Sequence, residues 1–132
     1  MISIPQYIVK AIIEQAHNEL PNEACGLLVG REENVEKRFA LSNIDHSPEH
    51  FSFDPTEQFN VLRNARKEGL QIIANYHSHP STPARPSQED IRLAYDPNIL
   101  YLILSLSEEW PVLKAFRIQN GESAEVEINV TL

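Results

Sequence analysis

Apolar and polar positions along this chain fall into several distinct rhythms, and each rhythm predicts an element. From about Pro5 to Glu19 the stripe Ile4, Ile8, Ile12 and Ala16 predicts an amphipathic helix, with Ser3 placed to cap it and Pro5 in its first turn. Leu20-Pro21-Asn22 breaks that helix. Cys25 to Arg31 is a short apolar run suited to a central strand, Glu32-Glu33-Asn34 turns the chain, and Val35 to Ser42 returns as its hairpin partner. A polar, turn-rich stretch from Asn43 to His50 leads into Phe51-Ser52-Phe53, whose alternation predicts a short strand. Asp54-Pro55-Thr56-Glu57 combines an N-cap, a first-turn proline and an acidic residue, so a helix is expected through Glu68. Phe59, Leu62, Ala65 and Arg66 form its expected inward side, and Gly69 closes it.

Leu70 to His79 is apolar and rich in β-formers, which predicts a buried strand that Pro80 ends by removing a donor. Ser87 is placed to cap a helix running through Asp90 to about Tyr95. After the turn Asp96-Pro97-Asn98, the nearly continuous apolar run Ile99 to Leu106 suits a strand covered on both faces. Val112 to Gln119 follows as a strand, and Asn120-Gly121 is a strong hairpin-turn signal. Beyond it Val126, Ile128, Val130 and Leu132 alternate with polar residues, which predicts an antiparallel partner with one wet face. The order of elements predicts an α/β (α+β) fold, a curved mixed sheet with helices on its faces.

Length and composition narrow the function classes. At 132 residues the expectation is a single domain, residues 1–132, and 42% hydrophobic with 23% charged residues is ordinary for a soluble globular chain. No apolar run reaches membrane-spanning length, and MISIPQYIVK lacks the apolar core of a signal peptide, so a cytoplasmic protein without membrane contact is expected. A net charge of −8 with no basic block argues against nucleic acid. The single cysteine, Cys25, reads as a small buried strand residue rather than a nucleophile.

The chemistry concentrates between Asn75 and Asp90, NYHSHPSTPARPSQED. Side chains on a strand alternate, so His77 and His79 share a face near the strand end. Neutral imidazole nitrogen suits zinc and similar borderline ions, so the pair is a ready half of a metal site. Asp90 and Ser87 both lie in the first turn of the following helix. Taken alone those two residues read as an ordinary capping pair; beside the histidines, Asp90 is also a candidate third ligand. His17 reads as a surface residue on the first helix, and His46 and His50 lie in a polar loop without ligand periodicity. Glu23, at a loop-to-strand junction, is unremarked when read in isolation.

The full set, His-x-His-Pro and then Ser-x-x-Asp with Ser87 seven positions after Pro80, resembles the signature of the JAMM (Jab/MPN) metalloprotease family. Glu23 ahead of Cys25-Gly26-Leu27-Leu28 answers to that family's upstream glutamate. The resemblance implies a cytidine-deaminase-like layered fold in which His77, His79 and Asp90 hold Zn2+. It also implies that Glu23 acts as general base and acid and that Ser87 donates a hydrogen bond to the oxyanion, in hydrolysis of an amide or isopeptide bond. Only about eight residues separate Asp90 from the strand at Ile99, which leaves no room for the insertion that larger deubiquitinating relatives use. The chain therefore looks more like small bacterial members acting on ubiquitin-like sulfur-carrier proteins, whose Gly-Gly tail carries an amino acid such as cysteine. Other readings of the same residues are a hydrolase of a small amide and a non-catalytic scaffold, although a scaffold is expected to have lost ligands. A cupin needs a nearby glutamate and a later histidine that this chain lacks, and an eight-unit barrel needs more residues.

Overall fold

A computed structural model describes residues 1–132. Eleven elements follow one another: β1 (Ile2–Pro5), α1 (Gln6–Asn18), β2 (Cys25–Arg31), β3 (Asn34–Leu41), α2 (Pro55–Lys67), β4 (Gln71–His79), α3 (Gln88–Arg92), β5 (Leu100–Ser105), β6 (Val112–Gln119), β7 (Glu122–Val126) and β8 (Ile128–Thr131). All eight strands join one sheet in the order β7-β6-β5-β4-β2-β3-β1-β8. β4 and β5 are parallel, as are β1 with β3 and β1 with β8, while the remaining neighbours are antiparallel. The mixed sheet flanked by helices is the fold class expected from the pattern. No helix is long and apolar enough to cross a membrane.

Two faces of the sheet bury two different sets of side chains. Ile8, Ile12 and Ala16 of α1 pack with Ile2 and Ile4 of β1 and with Leu28, Tyr76, Leu102 and Leu104 on one face. On the other, Cys25, Leu27 and Val29 of β2 meet Val61 and Ala65 of α2, and a third cluster under α3 joins Tyr101, Ile103, Phe116 and Ile118. Burying an aliphatic side chain contributes roughly 1.5–3 kcal/mol, so both faces hold the central strands in place. α2 begins as its sequence dictates: Asp54 accepts from Thr56 N–H at 2.8 Å and Pro55 occupies the first position. Its end is closed by Gly69 at φ 70°, with Leu70 N–H donating back to Ala65 O at 2.8 Å.

The structure corrects the pattern in five places. Ser3 does not cap α1; it lies in β1, a short parallel strand, and Pro5 takes the cap position with no side-chain bond. Phe59 and Leu62 of α2 are exposed, as is Arg66, because the smaller Val61 and Ala65 form the stripe that lets the helix approach the sheet. α3 ends at Arg92 rather than near Tyr95, and Phe51-Ser52-Phe53 is reduced to a single bridge between Asn43 and Phe53. The expected last strand is two strands. β7 pairs with β6 as the hairpin predicts, but after Glu127 the chain becomes β8 and pairs with β1 at the far end of the strand order. The sheet's two edges are thereby drawn together around α1.

One close approach sets the register of the two central strands. Gly26 of β2 lies opposite Tyr76 of β4, and the phenol occupies the space that a Cβ on residue 26 would need, with the Tyr76 oxygen 2.3 Å from that position. The phenol donates to Gln15 Oε1, which also accepts from Arg38 at 2.8 Å, and Gln15 Nε2 donates to Cys25 O at 2.9 Å. Neither the backbone nor the hydrogen-bonded ring can move aside cheaply. Gly26→Ala is therefore expected to destabilise the fold by about 1–3 kcal/mol in chemical denaturation, the usual scale of overpacking. An unchanged midpoint would show that the contact does not constrain the strands.

Candidate metal centre

β4 carries the site at its C-terminal end. Alternation places Asn75, His77 and His79 on the face covered by α2 and α3, with Tyr76 and Ser78 on the other. Ser78 fastens the neighbouring strand: its hydroxyl accepts Ala24 N–H at 2.8 Å, and its own N–H donates to Ala24 O at 2.9 Å. Cys25 pairs with His77, so continuing the register past Ala24 and Ser78 sets Glu23 opposite His79. A residue more than fifty positions upstream is thus brought to the histidines by ordinary antiparallel pairing.

Beyond Pro80 the connector is pinned by Ser105, whose hydroxyl donates to Thr82 O at 2.6 Å. It then delivers α3. Ser87 Oγ accepts Asp90 N–H at 3.0 Å, and Ser87 N–H donates to Asp90 Oδ2 at 2.9 Å, a complete capping box. The capping reading and the ligand reading both hold, because the same Asp90 Oδ2 lies 3.2 Å from His77 Nε2 and 3.1 Å from His79 Nε2. The two Nε2 atoms are 3.1 Å apart.

The donor chemistry fits a cation at this point. His79 Nδ1 is 2.9 Å from Pro83 O, a contact that needs its proton there and leaves Nε2 as a bare lone pair in the neutral ring. Two imidazole nitrogens and a carboxylate oxygen then converge in a site where the His77 and His79 side chains are 4% and 6% exposed. Ligands on tetrahedral zinc at 2.0–2.1 Å are roughly 3.3–3.4 Å from one another, close to the spacing seen here. The residues present could therefore hold a metal of that kind.

Charges around the site respond to one another. Burial pushes the Asp90 carboxyl up, but His77 and His79, when protonated towards it in the metal-free protein, outweigh that and hold the group well below the usual carboxylate range. Burial, helped by the neighbouring His79, keeps the His77 imidazole low against the pull of Asp90, whereas for His79 burial is outweighed by Asp90, the Pro83 carbonyl and Glu23, and the imidazole is raised. Glu23 is buried, its Oε1 has no hydrogen-bond partner, and desolvation pushes its carboxyl up to about 8 despite the opposing charge of His79. Cys25 is buried and its thiol is pushed up to about 12, so it is no nucleophile. His17 is exposed and His50 pairs with Asp45 at 3.1 Å on the surface; neither joins a ligand cluster.

Two supporting residues escaped the reading of the sequence. Asn43 is buried and donates to Glu23 O and to His50 O, both at 3.1 Å, while its own oxygen accepts from Asp45 and Ser52 N–H. Together with Glu23 N–H donating to Ser47 O at 2.8 Å, this ties the loop after β3 to the backbone of Glu23. Phe51, in the same loop, stacks on His77 with centroids 4.7 Å apart and fixes the ring's plane. The Phe51-Ser52-Phe53 alternation hinted at order in this loop, but nothing in the sequence marked Asn43. A cleft of about 540 Å3, mostly apolar, runs from His77 and Asp90 past Asn75 and Tyr101 between α2 and α3.

The sequence and its fold have counterparts. A profile of prokaryotic homologs of the JAB domain matches residues 5–119. The chain is 32% identical to a CysO-cysteine peptidase from Mycobacterium tuberculosis over 126 residues, which is 93% of this chain and 86% of that one. It is 32% identical to a desampylase from Pyrococcus furiosus over 107 residues, 81% of this chain and 76% of the relative. A solved structure of a Desulfitobacterium hafniense protein superimposes with a TM-score of 0.91 at 47% identity, covering 99% of this chain and 93% of that one. Another, described as a JAMM metalloprotease-like zinc site, superimposes with a TM-score of 0.65 at 24% identity over 100% of this chain and 99% of that one, a likeness of fold. The profile match over most of the chain, together with relatives at 32% identity, shows that the chain belongs to the prokaryotic JAB-domain (JAMM/MPN) family and is a peptidase of that family.

Proposed function

We propose that this chain is a zinc-dependent peptidase that hydrolyses the amide bond at the C-terminal Gly-Gly tail of a ubiquitin-like sulfur-carrier protein, releasing an amino acid such as cysteine. The observation that carries the reading is the convergence of His77, His79 and Asp90 at the mouth of an apolar cleft able to take an extended tail. Relatives that are a CysO-cysteine peptidase and a desampylase support this substrate class. Seven residues, 93–99, connect α3 to β5, so the chain has no insertion here for gripping a second ubiquitin-like domain.

In this reading His77, His79 and Asp90 hold the metal, and Asp90 is itself oriented by the Ser87 N–H. A zinc ion bound there supplies a polarised, acidified water at neutral pH. Glu23 takes the proton of the attacking water and returns it to the departing amine. Burial raises its carboxyl in the metal-free protein and a cation held beside it would draw it down again, which suits a group that must both take and return a proton. Ser87 Oγ already accepts the Asp90 N–H, so its own O–H is free to donate to the oxyanion, an interaction worth roughly 3 kcal/mol in other hydrolases.

The direct test is mass spectrometry of a Gly-Gly-tailed carrier adduct from the same genome, incubated with the zinc-loaded parent and with Glu23→Gln. Release of the terminal amino acid by the parent is expected, with turnover about 100-fold lower or worse in Glu23→Gln at equal zinc content, the scale of losing a positioned base. Cleavage of diubiquitin with none of any carrier adduct would overturn the substrate assignment, and an unimpaired Glu23→Gln would remove the glutamate from the mechanism.

Burial of Glu23 also sets a pH dependence in metal-free protein. Its carboxyl ionises near 4.5 in the unfolded chain and near 8 in the folded one, so unfolding releases a proton between those values. Stability should consequently fall as pH rises from about 4.5 to 8, and level off above. Urea denaturation in the presence of a chelator is expected to show a shallower decline for Glu23→Gln; parallel curves would mean that Glu23 is not held in its neutral form.

A further inference from the structure

Of the residues lining the cleft, two hold a buried polar atom without a hydrogen-bond partner: His77, through Nδ1, which belongs to the metal centre, and Asn75, which lies outside it. Asn75 sits in a row of paired residues that crosses the five strands β3, β2, β4, β5 and β6 through Phe39, Leu27, Asn75, Tyr101 and Phe116, and reaches a polar residue again only at the exposed Glu125 of edge strand β7. Asn75 is the one aliphatic-length amide in a row that, over those strands, is otherwise aromatic or apolar, and its Oδ1 is buried without a hydrogen-bond partner. An unpaired buried acceptor costs about 1–3 kcal/mol, so a leucine here would be the more stabilising choice. A group kept at that cost, lining a cleft that leads to His77 and Asp90, points to a ligand that completes it.

The position says what kind of ligand. Asn75 lies two residues before His77 on the same face of β4, so the two side chains are spaced by roughly 6.6 Å along the strand. An extended peptide laid along the cleft has the same spacing between its reacting carbonyl and the N–H of the preceding residue. Resting on the functional reading above, the departing amino acid is too small to fill the cleft, so the carrier's tail occupies it. We propose that Asn75 is a substrate-positioning residue: its side-chain oxygen accepts a hydrogen bond from the backbone N–H of the first glycine of the Gly-Gly pair. The flanking Leu27 and Tyr101 exclude water from that bond and leave room for a residue without a side chain. Asn75 thus helps select a tail with a free, unsubstituted amide at this point, and places the scissile carbonyl opposite the His77 end of the strand.

The test uses the zinc-loaded protein, Asn75→Leu, and two peptides that end in Gly-Gly linked to cysteine, one carrying sarcosine in place of the first glycine. Sarcosine removes the N–H and adds only a methyl group. Expected results are a thermal midpoint of Asn75→Leu equal to or above that of the parent, and kcat/KM on the glycine peptide about 10-fold lower. The parent should lose about 10-fold on the sarcosine peptide, and Asn75→Leu much less. A clear drop in thermal midpoint would show that the amide has a structural partner and would overturn the proposal. So would equal kcat/KM for the two proteins, or equal sensitivity to sarcosine, with the functional reading left standing. A parent that cleaves neither the peptides nor a carrier adduct would bring down the functional reading, and this assignment with it.

Discussion

Three electron-pair donors aimed at one point inside a protein repel one another unless something positive lies between them. His77 Nε2, His79 Nε2 and Asp90 Oδ2 are in that relation, within 3.2 Å of one another and nearly removed from solvent. Much of the molecule serves to hold them there. Parallel pairing of β4 with β5 and antiparallel pairing with β2 bury the strand that carries the histidines, and the capping box of α3 fixes the carboxylate. Pro83 sets the tautomer of one ring and Phe51 the plane of the other. Outer contacts of this kind orient ligands and tune their basicity in metal sites.

The second consequence of that burial is the state of Glu23. The same pairing of β2 with β4 that shields the histidines removes the glutamate from water, and the Asn43 side chain and Ser47 carbonyl hold its backbone in place. A carboxyl so placed is pushed towards neutrality, the range in which one group can accept and later return a proton. The Gly26–Tyr76 contact on the opposite face of the sheet sets the register on which both features depend.

What was legible in the sequence follows local rules. Two histidines with one residue between them, a proline that ends a strand and a serine that starts a helix each act over a few residues, so His77, His79, Ser87 and Asp90 could be placed before the fold was known. Glu23 was reached only through its resemblance to a family pattern, since nothing near it in sequence marks it. β1 was missed because Ile-Ser-Ile-Pro makes a parallel strand, which has no turn of its own to announce it. The alternation through Val126 and Ile128 is unbroken, so the change of partner at Glu127 is decided by sheet closure and not by local pattern. Asn43 works through bonds to a distant backbone, and the face of α2 is set by how closely Val61 and Ala65 let it approach.

The central claim is that the converging side chains form a metal site on which the folded state draws. Protein stripped by a chelator and then given increasing zinc should show a thermal midpoint that climbs with free zinc, as mass action requires of a ligand that binds only the folded state. Asp90→Asn and His79→Ala, shown to be folded, should climb far less, while Glu23→Gln should climb like the parent. A parent whose midpoint ignores zinc, or an Asp90→Asn protein that responds as strongly as the parent, would contradict the account.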